Sequence, residues 1–409
     1  MRFLAFVLVL LATTARAQDG VQEQELFVRW LKNSPEVASW RTQVGSARFD
    51  VLSAKLWPNP ELQLYGNFVA SGVPPDGRQN VGAQLNAPLP VFGQRSSAIR
   101  AAQEMVSIAE LNVIAQLWDR ATEIGGAMVE RAYAEATVEM LHTNEQELQR
   151  IQSVIELRAK AGANSQYDVL RTKTAAGTMT AALRNARIEL GRAESNLLAL
   201  IADASLQSAA VGRAGLAAFR GPDDQATLTE IALGRRPDLL LAQRGVRAFD
   251  AQAESYRKGA IPVPSVQVGA YQTYQQRGFQ LMAGVEMPFP ITNRNQGLIG
   301  RARSDRRGQE LLRDALATRV RNEVAGAYAA RRDARAALEV FRVQSLSAAT
   351  ELLKRAEVSY QAGSFSIAEL FDAYETMWDA RAQELVLERQ HSDAEAALER
   401  AAALLPLGD

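Results

Sequence analysis

Cysteine is absent from all 409 residues. The chain therefore has no disulfides, thiolate metal ligands or thiol nucleophile, and no cysteine that could carry a lipid anchor. Histidine is almost as scarce, with only His142 and His391. We expect neither to form a metal site, and no Ser–His–Asp set, phosphate loop or dinucleotide fingerprint occurs. The sequence thus predicts no enzymatic activity, no bound metal and no cofactor.

Surplus charge and long apolar runs are also missing. Lysine and arginine total 46 and aspartate and glutamate total 46, so no basic excess points to nucleic acid. Beyond residue 17, no apolar stretch is long enough to span a bilayer as a helix. The first seventeen residues differ, with Arg2, an apolar core and the small-x-small run Ala15-Arg16-Ala17. This order predicts a secretory signal peptide over 1–17 and a mature chain from Gln18.

Three landmarks recur in the same order about 200 positions apart. Pro88-Leu89-Pro90 has a partner in Pro288-Phe289-Pro290, and Pro58-Asn59-Pro60 has a looser one in Pro262-Val263-Pro264. The third landmark is a pair of similar tips, Gly162, Ser165 and Asp168 in one and Gly363, Ser366 and Glu369 in the other. A tandem duplication follows. The predicted segments are a first repeat over 18–202, an equatorial linker over 203–226 and a second repeat over 227–409.

Each repeat is predicted to contain a helix, a β-hairpin and a pair of long helices. The first helices cover about 35–56 and 237–258, and proline pairs end them. The hairpins cover 60–88 and 264–288. The long helices then meet at tips near 162–168 and 363–369.

Apolar and polar residues alternate along the predicted strands. Leucine, valine and alanine occupy one face, and the polar face includes Gln84, Asn86, Gln267 and Glu286. Runs of about 8–10 residues match tilted transmembrane β-strands. Alternation alone also fits two soluble hairpins that pack on helices, and that alternative stays open.

The long proline-free segments 94–160 and 294–362 favour a coiled coil over a globular core. At ~1.5 Å per residue, each would reach on the order of 100 Å. Apolar residues step by three and four along them. One such seam comprises Val320, Val324, Ala327, Ala334, Leu338, Phe341, Ala348 and Leu352. The predicted fold is mainly α with a small β part: long coiled-coil helices with four transmembrane strands per chain.

Four strands cannot stand alone in a bilayer, because every backbone N–H and C=O there needs a partner. Small closed barrels need about eight strands. The chain should therefore share a barrel with other copies, and physics alone does not choose between two copies and three. The polar residues Gln84, Asn86, Gln267 and Glu286 favour a water-filled lumen and hence the larger barrel.

The signal peptide, Pro58-Asn59-Pro60-Glu61-Leu62, the Pro-x-Pro exits, Arg236-Pro237-Asp238-Leu239 and the two Gly-x-x-Ser tips together resemble the TolC family of outer-membrane efflux proteins. The resemblance implies a homotrimer with a 12-stranded barrel in the outer membrane of a Gram-negative bacterium and a long coiled-coil α-helical barrel in the periplasm. It also implies two partners, a periplasmic adaptor and an inner-membrane, proton-driven RND-type pump. Family members are conduits rather than enzymes.

The run 293–297, Asn-Arg-Asn-Gln-Gly, looks most like the CzcC-type branch that serves heavy-metal cation exporters. Asn293 could equally be a helix N-cap without any functional role. The duct of a drug exporter or of a type I secretion system is the alternative within transport. A periplasmic coiled-coil scaffold without a pore is the alternative from another class.

The second tip is the predicted periplasmic gate. Glu369 and Asp372 share a helix face, where symmetry would copy them into a cation-favouring ring. Carboxylates in a first helical turn also simply complement the helix dipole. The TolC resemblance implies a closed-state latch between Asp168 and Tyr360, with Phe365 where the family has an arginine. We therefore expect a closed state held by a hydrogen bond between Asp168 and Tyr360 and by apolar packing of Phe365. Gly162, Ser165, Gly363 and Ser366 form the tip turns, where the adaptor would dock.

Overall fold

The computed structural model describes residues 23–67, 80–161, 165–203, 221–273 and 278–404. The predicted signal peptide, Gly162, both hairpin turns and most of the predicted linker lie outside these residues. The helices are α1 Glu23–Asn33, α2 Pro35–Lys55, α3 Gln94–Lys160, α4 Gln166–Ile201, α5 Gln225–Arg235, α6 Pro237–Gly259, α7 Gln296–Phe341, α8 Ser347–Gln361 and α9 Ile367–Ala402. The strands are β1 Glu61–Asn67, β2 Asn80–Pro88, β3 Ser265–Thr273 and β4 Gly278–Glu286.

These bounds confirm the predicted fold class, mainly α with a small β part. Helix α3 covers the whole proline-free segment from Gln94 to Lys160 without a break. Helices α1 and α5 were not predicted; each ends just before the proline that begins the next helix. Across the part of the chain that the structure describes, no helix is both long enough and apolar enough to cross a membrane.

The duplication is visible in the backbone. Two residues before each long helix, an N–H donates to the Oε1 of the first helical glutamine, from Phe92 to Gln94 at 2.9 Å and from Arg294 to Gln296 at 2.8 Å. The intervening residue has a positive φ in both repeats, +86° at Gly93 and +57° at Asn295. The same junction geometry is thus encoded twice.

The four strands form one antiparallel sheet in the order β1-β2-β3-β4. β2 pairs with β3, so the two hairpins, one from each repeat, lie side by side. Strands β1 and β4 are the two edges, and they run in opposite directions because each neighbouring pair is antiparallel. Among the described residues of the chain, neither edge has a partner strand.

The chain divides into two compact units. One comprises residues 40–115 and 237–316 and contains the sheet. The other comprises the described parts of 1–39, 116–236 and 317–409. One apolar core of the second unit joins helices α5, α7 and α9 through Leu228, Ala232, Val320, Val324, Leu398, Ala401 and Ala402.

A five-residue π-helical turn, Arg342–Leu346, separates α7 from α8 and corrects the predicted seam. Up to Phe341 the predicted residues face neighbouring helices, with Val320, Val324 and Leu338 buried. Beyond the turn the predicted Ala348 and Leu352 are exposed, and Ala349 and Leu353 face inward instead. A π turn holds one residue more than an α turn, so it moves the inward face by one position.

Candidate functional site

The polar face of the sheet carries all four predicted lumen residues. Gln84 and Asn86 on β2 lie on the same face as Gln267 on β3, because Asn86 pairs directly with Gln267. Gln267 donates a hydrogen bond to the carboxylate of Glu286 on β4. The Asn86 Oδ1 is buried and accepts no hydrogen bond. The predicted alternation is therefore confirmed, and its polar side chains meet across three strands.

The opposite face of the sheet is apolar and exposed within one chain. Leu281 is 88% exposed, and the other large side chains on this face are exposed as well: Leu62, Leu64, Val81, Leu85, Val266, Val268, Phe279 and Val285. The register places them all on one side. An exposed apolar surface of this extent marks a partner or a membrane.

The sequence analysis did not predict a structural role for two glycines on the polar face, Gly82 and Gly269. A Cβ at Gly82 would lie 2.5 Å from the Tyr65 ring, so the tyrosine covers the glycine across the β1–β2 pair. A Cβ at Gly269 would lie 2.9 Å from the backbone oxygen of Ala83. Glycine inside a strand often marks such close approaches. A single glycine within an alternating strand pattern is the sequence feature that could have indicated these close contacts.

Both predicted tips begin with a capping box, in which a serine and an acidic residue three positions on bond each other's backbone N–H. The Ser165 N–H and hydroxyl donate to Asp168 at 3.1 and 2.9 Å, and the Asp168 N–H donates to Ser165 Oγ at 3.2 Å. Ser366 and Glu369 repeat this at 2.7, 2.7 and 3.3 Å. The Ser366 backbone N–H, and then its hydroxyl, lower the pKa of Glu369.

The predicted hydrogen bond between Asp168 and Tyr360 does not form within one chain. The Asp168 carboxylate is bound to Ser165, and the Tyr360 hydroxyl is buried without a hydrogen-bond partner. Tyr360 is 7% exposed and packs against Ala356, Leu370 and Ala373. The Arg158 guanidinium lies 4.3 Å from the centre of its ring. Within one chain the Asp168 carboxylate is therefore a helix cap.

Phe365 is the third residue of the predicted latch. Its side chain is exposed at the tip and does not join the apolar cluster around Tyr360 within one chain. The cation near Tyr360 is Arg158 from α3. No local sequence signal pairs these residues, because their contact depends on the register of α3 against α8.

Gly363 terminates α8 as predicted. Its φ of +77° is left-handed, its N–H donates to the Tyr360 carbonyl at 3.1 Å, and the Ser364 N–H donates to the Ser359 carbonyl at 2.9 Å. This is a Schellman motif. Asp372, one turn into α9, is exposed and has no ion-pair partner in the described part of the chain. The predicted acidic pair therefore consists of one bound carboxylate and one free carboxylate.

The 293–297 run has a structural explanation. Asn293 Oδ1 accepts from the Asn295 N–H at 3.0 Å, and the Asn295 side chain donates to the Tyr256 carbonyl at 3.0 Å. Gln296 donates to the Thr292 carbonyl at 3.0 Å. These bonds shape the turn between β4 and α7. The run needs no contact with a metal to account for its residues.

A polar network between α3 and α9 was not predicted. Trp378 Nε1 donates to Glu147 at 3.0 Å, and Arg381 donates to Asn144 and Glu147 at 2.9–3.0 Å. His391 lies 3.7 Å from Glu395, four residues further along α9. Among the described residues, no group of three or more histidine, cysteine or acidic side chains could hold a metal ion.

Long paired helices, together with a sheet that has one apolar and one polar face, are typical of membrane channel subunits. The family model described as "Outer membrane efflux protein" matches residues 26–203 and 228–404, which is most of the chain. The chain therefore belongs to this family of TolC-like outer-membrane efflux channels, whose members are pore proteins rather than enzymes. The predicted family resemblance is confirmed.

Individual relatives cover nearly the whole chain. It is 23% identical to the "Cobalt-zinc-cadmium resistance protein CzcC" of Cupriavidus metallidurans over 361 residues, 88% of this chain and 84% of that protein. It is 28% identical to "Protein CyaE" of Bordetella pertussis over 368 residues, 86% of this chain and 77% of that protein. The crystal structure of outer membrane protein VceC from Vibrio cholerae has a TM-score of 0.73 at 18% identity, over 93% of this chain and 95% of that chain.

Proposed function

We propose that the chain is one third of a homotrimeric duct that carries substrate across the outer membrane of a Gram-negative bacterium. The observation that carries this proposal is the four-stranded sheet with one apolar face, one polar face and two unpaired edges. In a bilayer both edges must be paired. The apolar face then contacts lipid, and the polar face lines a water-filled lumen.

The direction of the edge strands supports closure by copies of the same chain. Because β1 and β4 run in opposite directions, β4 of one copy beside β1 of the next continues the antiparallel order. Repetition closes a ring of 4 strands per copy. The polar row through Asn86 and Gln267 favours three copies and 12 strands, because the interior of an eight-stranded barrel is only wide enough for side chains.

The proposed partners are a periplasmic adaptor and an inner-membrane RND-type pump, in keeping with the TolC resemblance. The adaptor would dock at the tip turns with Gly162, Ser165, Gly363 and Ser366. The capping boxes support this role, because they give both tips a fixed and similar backbone. The adaptor would then contact two similar tips in each chain.

The proposed gate is a ring of Asp372 from three copies near the Tyr360 cluster. Asp372 is exposed and without an ion pair, whereas Glu369 is bound to Ser366. A ring of free carboxylates attracts cations. Asp168 and Phe365 have supporting roles at the gate. Asp168 caps the helix that starts at the first tip, and Phe365 is an exposed aromatic residue at the second tip.

Heavy-metal cations are the proposed cargo, and similarity to the cobalt-zinc-cadmium resistance protein supports this. Protein CyaE, whose name specifies no metal, is somewhat more identical. The duct of a drug exporter or a type I secretion system is therefore kept as the second candidate. Growth on zinc, cobalt or cadmium salts, in cells that lack their own channel and express this chain with a metal pump, separates the two candidates.

Single-channel conductance of the purified protein in a planar bilayer tests the duct. We expect discrete, cation-preferring currents, and a loss of that preference in Asp372→Asn. Glu189→Gln on α4, which removes an exposed carboxylate paired with Arg192, is the control and should leave selectivity unchanged. A detergent-free soluble monomer without conductance would support the scaffold alternative instead.

A further inference from the structure

A band of exposed and half-buried side chains surrounds the strand ends that lead into the helices; we call it the collar. We infer that the collar binds anionic phospholipid headgroups of the periplasmic leaflet of the outer membrane. This inference rests on the proposed function, because it requires the sheet to span that membrane.

The apolar part of the collar consists of Trp57, Phe92, Phe289 and Ile291. Trp57 precedes β1, Phe92 follows β2, and Phe289 and Ile291 follow β4. All four are at least half exposed, and Phe289 and Ile291 reach 78% and 80%. They lie in the segments that directly flank the strands of the sheet. Aromatic residues in this position form the interfacial girdle of membrane β-barrels.

The basic part of the collar consists of Lys55, Arg95, Lys258 and Arg294. Arg95 Nε donates to the Lys55 carbonyl at 2.8 Å, and its guanidinium lies 5.2 Å from the centre of the Trp57 ring. Arg294 Nε donates to the Pro290 carbonyl at 3.1 Å. Each guanidinium is thus fixed by a backbone oxygen beside an apolar collar residue, and its remaining N–H groups stay available.

None of these four cations forms an ion pair with a described residue, although neighbouring arginines do. Arg48, Arg244 and Arg257 each contact a carboxylate of the same unit. The stretches 51–60, 87–103, 255–273 and 287–304 contain lysine and arginine but no aspartate or glutamate, in a chain whose charges balance. The collar is therefore a local positive surface within a neutral protein.

The two long helices that start at the collar add to this charge. A helix N-terminus carries a partial positive charge and normally attracts acidic residues. Helices α4 and α9, which start at the tips, have Asp168 and Glu369 in their first turns. Helices α3 and α7 have no acidic residue there. Arginines beside these ends are electrostatically favourable only when an external anion lies close to them.

Charge complementarity and continuity with the apolar face identify the occupant. In the proposed ring, a neighbouring copy brings the same positive collar to the same level, so it adds positive charge there and does not neutralise it. An anionic phospholipid satisfies both parts at once, with its phosphate on the cations and its acyl chains on the aromatic residues. A soluble anion would leave the exposed aromatic residues uncovered.

The test measures lipid preference of the intact oligomer. The purified full-length protein in detergent is titrated with short-chain phosphatidylglycerol or phosphatidylcholine, and binding is followed by native mass spectrometry. We expect tighter binding of phosphatidylglycerol. Arg95→Gln combined with Arg294→Gln should weaken it roughly thirtyfold, because each cation near anionic lipid contributes about a fivefold change.

A matched variant controls for lost charge. Arg192→Gln with Arg355→Gln also removes two exposed arginines per chain, on α4 and α8, and should leave the lipid preference intact. Equal binding of the two lipids, or equal effects of both double variants, would overturn the inference. So would saturation of the collar by sodium phosphate alone, or dissociation of the oligomer in the collar variant only. The conductance of the wild-type protein in a planar bilayer, measured in parallel, tests the proposed duct function separately.

Discussion

Leu281 on β4 allows a direct test of which face of the sheet meets lipid. Its side chain is 88% exposed on the apolar face, near the middle of the strand. If this face contacts the bilayer core, Leu281→Arg places a charge at the membrane midplane. That costs about 2–4 kcal/mol per chain in a transmembrane barrel. Three copies would multiply the effect in the assembled protein.

Met282, the next residue, provides a control at nearly the same depth. It lies on the polar face, opposite Gly269. Met282→Arg therefore points its charge into water and should change the free energy of unfolding by less than about 1 kcal/mol. Unfolding by denaturant in lipid vesicles, with the yield of oligomer from the outer-membrane fraction, measures both variants. Equal destabilisation, or a harmless Leu281→Arg, would refute the assignment of the two faces.

Three further predictions concern the tip and the sheet. Ser366→Ala should destabilise the start of α9 by about 1 kcal/mol, seen as faster amide exchange. Because Ser366 lowers the pKa of Glu369, that stabilisation is present above the ordinary glutamate value of 4.5 and lost as the pH falls below it. Tyr360→Phe removes a buried hydroxyl that has no hydrogen-bond partner within the chain, so thermal stability should stay the same or rise. The conductance of the pore should not change. A leakier pore would show that the Tyr360 hydroxyl has a partner in another chain. Gly269→Ala should cost about 1–3 kcal/mol by crowding a backbone oxygen, whereas Gly284→Ala, with its nearest atom 3.9 Å away, should be tolerated in the same unfolding assay.

The strands and the long helices were predictable because their signals are local. Alternation assigns a face to each strand residue, and the structure puts Gln84, Asn86, Gln267 and Glu286 on one side. Absence of proline sets the extent of α3. Recurrence of the landmarks at nearly constant spacing predicted the duplication, and the junctions at Gly93 and Asn295 repeat the same geometry.

Features that depend on non-local register could not be predicted. The π turn at 342–346 moves the inward face from Ala348 to Ala349, and heptad spacing gives no sign of it. Arg158 reaches Tyr360 only through the alignment of α3 with α8. Within one chain Asp168 caps α4: a serine three residues before an aspartate at a helix start is a capping box, and that signal was present in the sequence.

Pairing of β4 with β1 of a neighbouring copy is the central claim, and disulfide cross-linking tests it most directly. Within one chain two strands separate β1 from β4, roughly 14 Å at about 4.8 Å per strand, so no disulfide can join them there. The natural chain has no cysteine, so the background is clean. Leu64→Cys combined in turn with Phe279→Cys, Leu281→Cys or Ala283→Cys should give covalent dimers and trimers on a denaturing gel. Only monomers in all three combinations, from protein shown to be in the outer membrane, would contradict the shared wall.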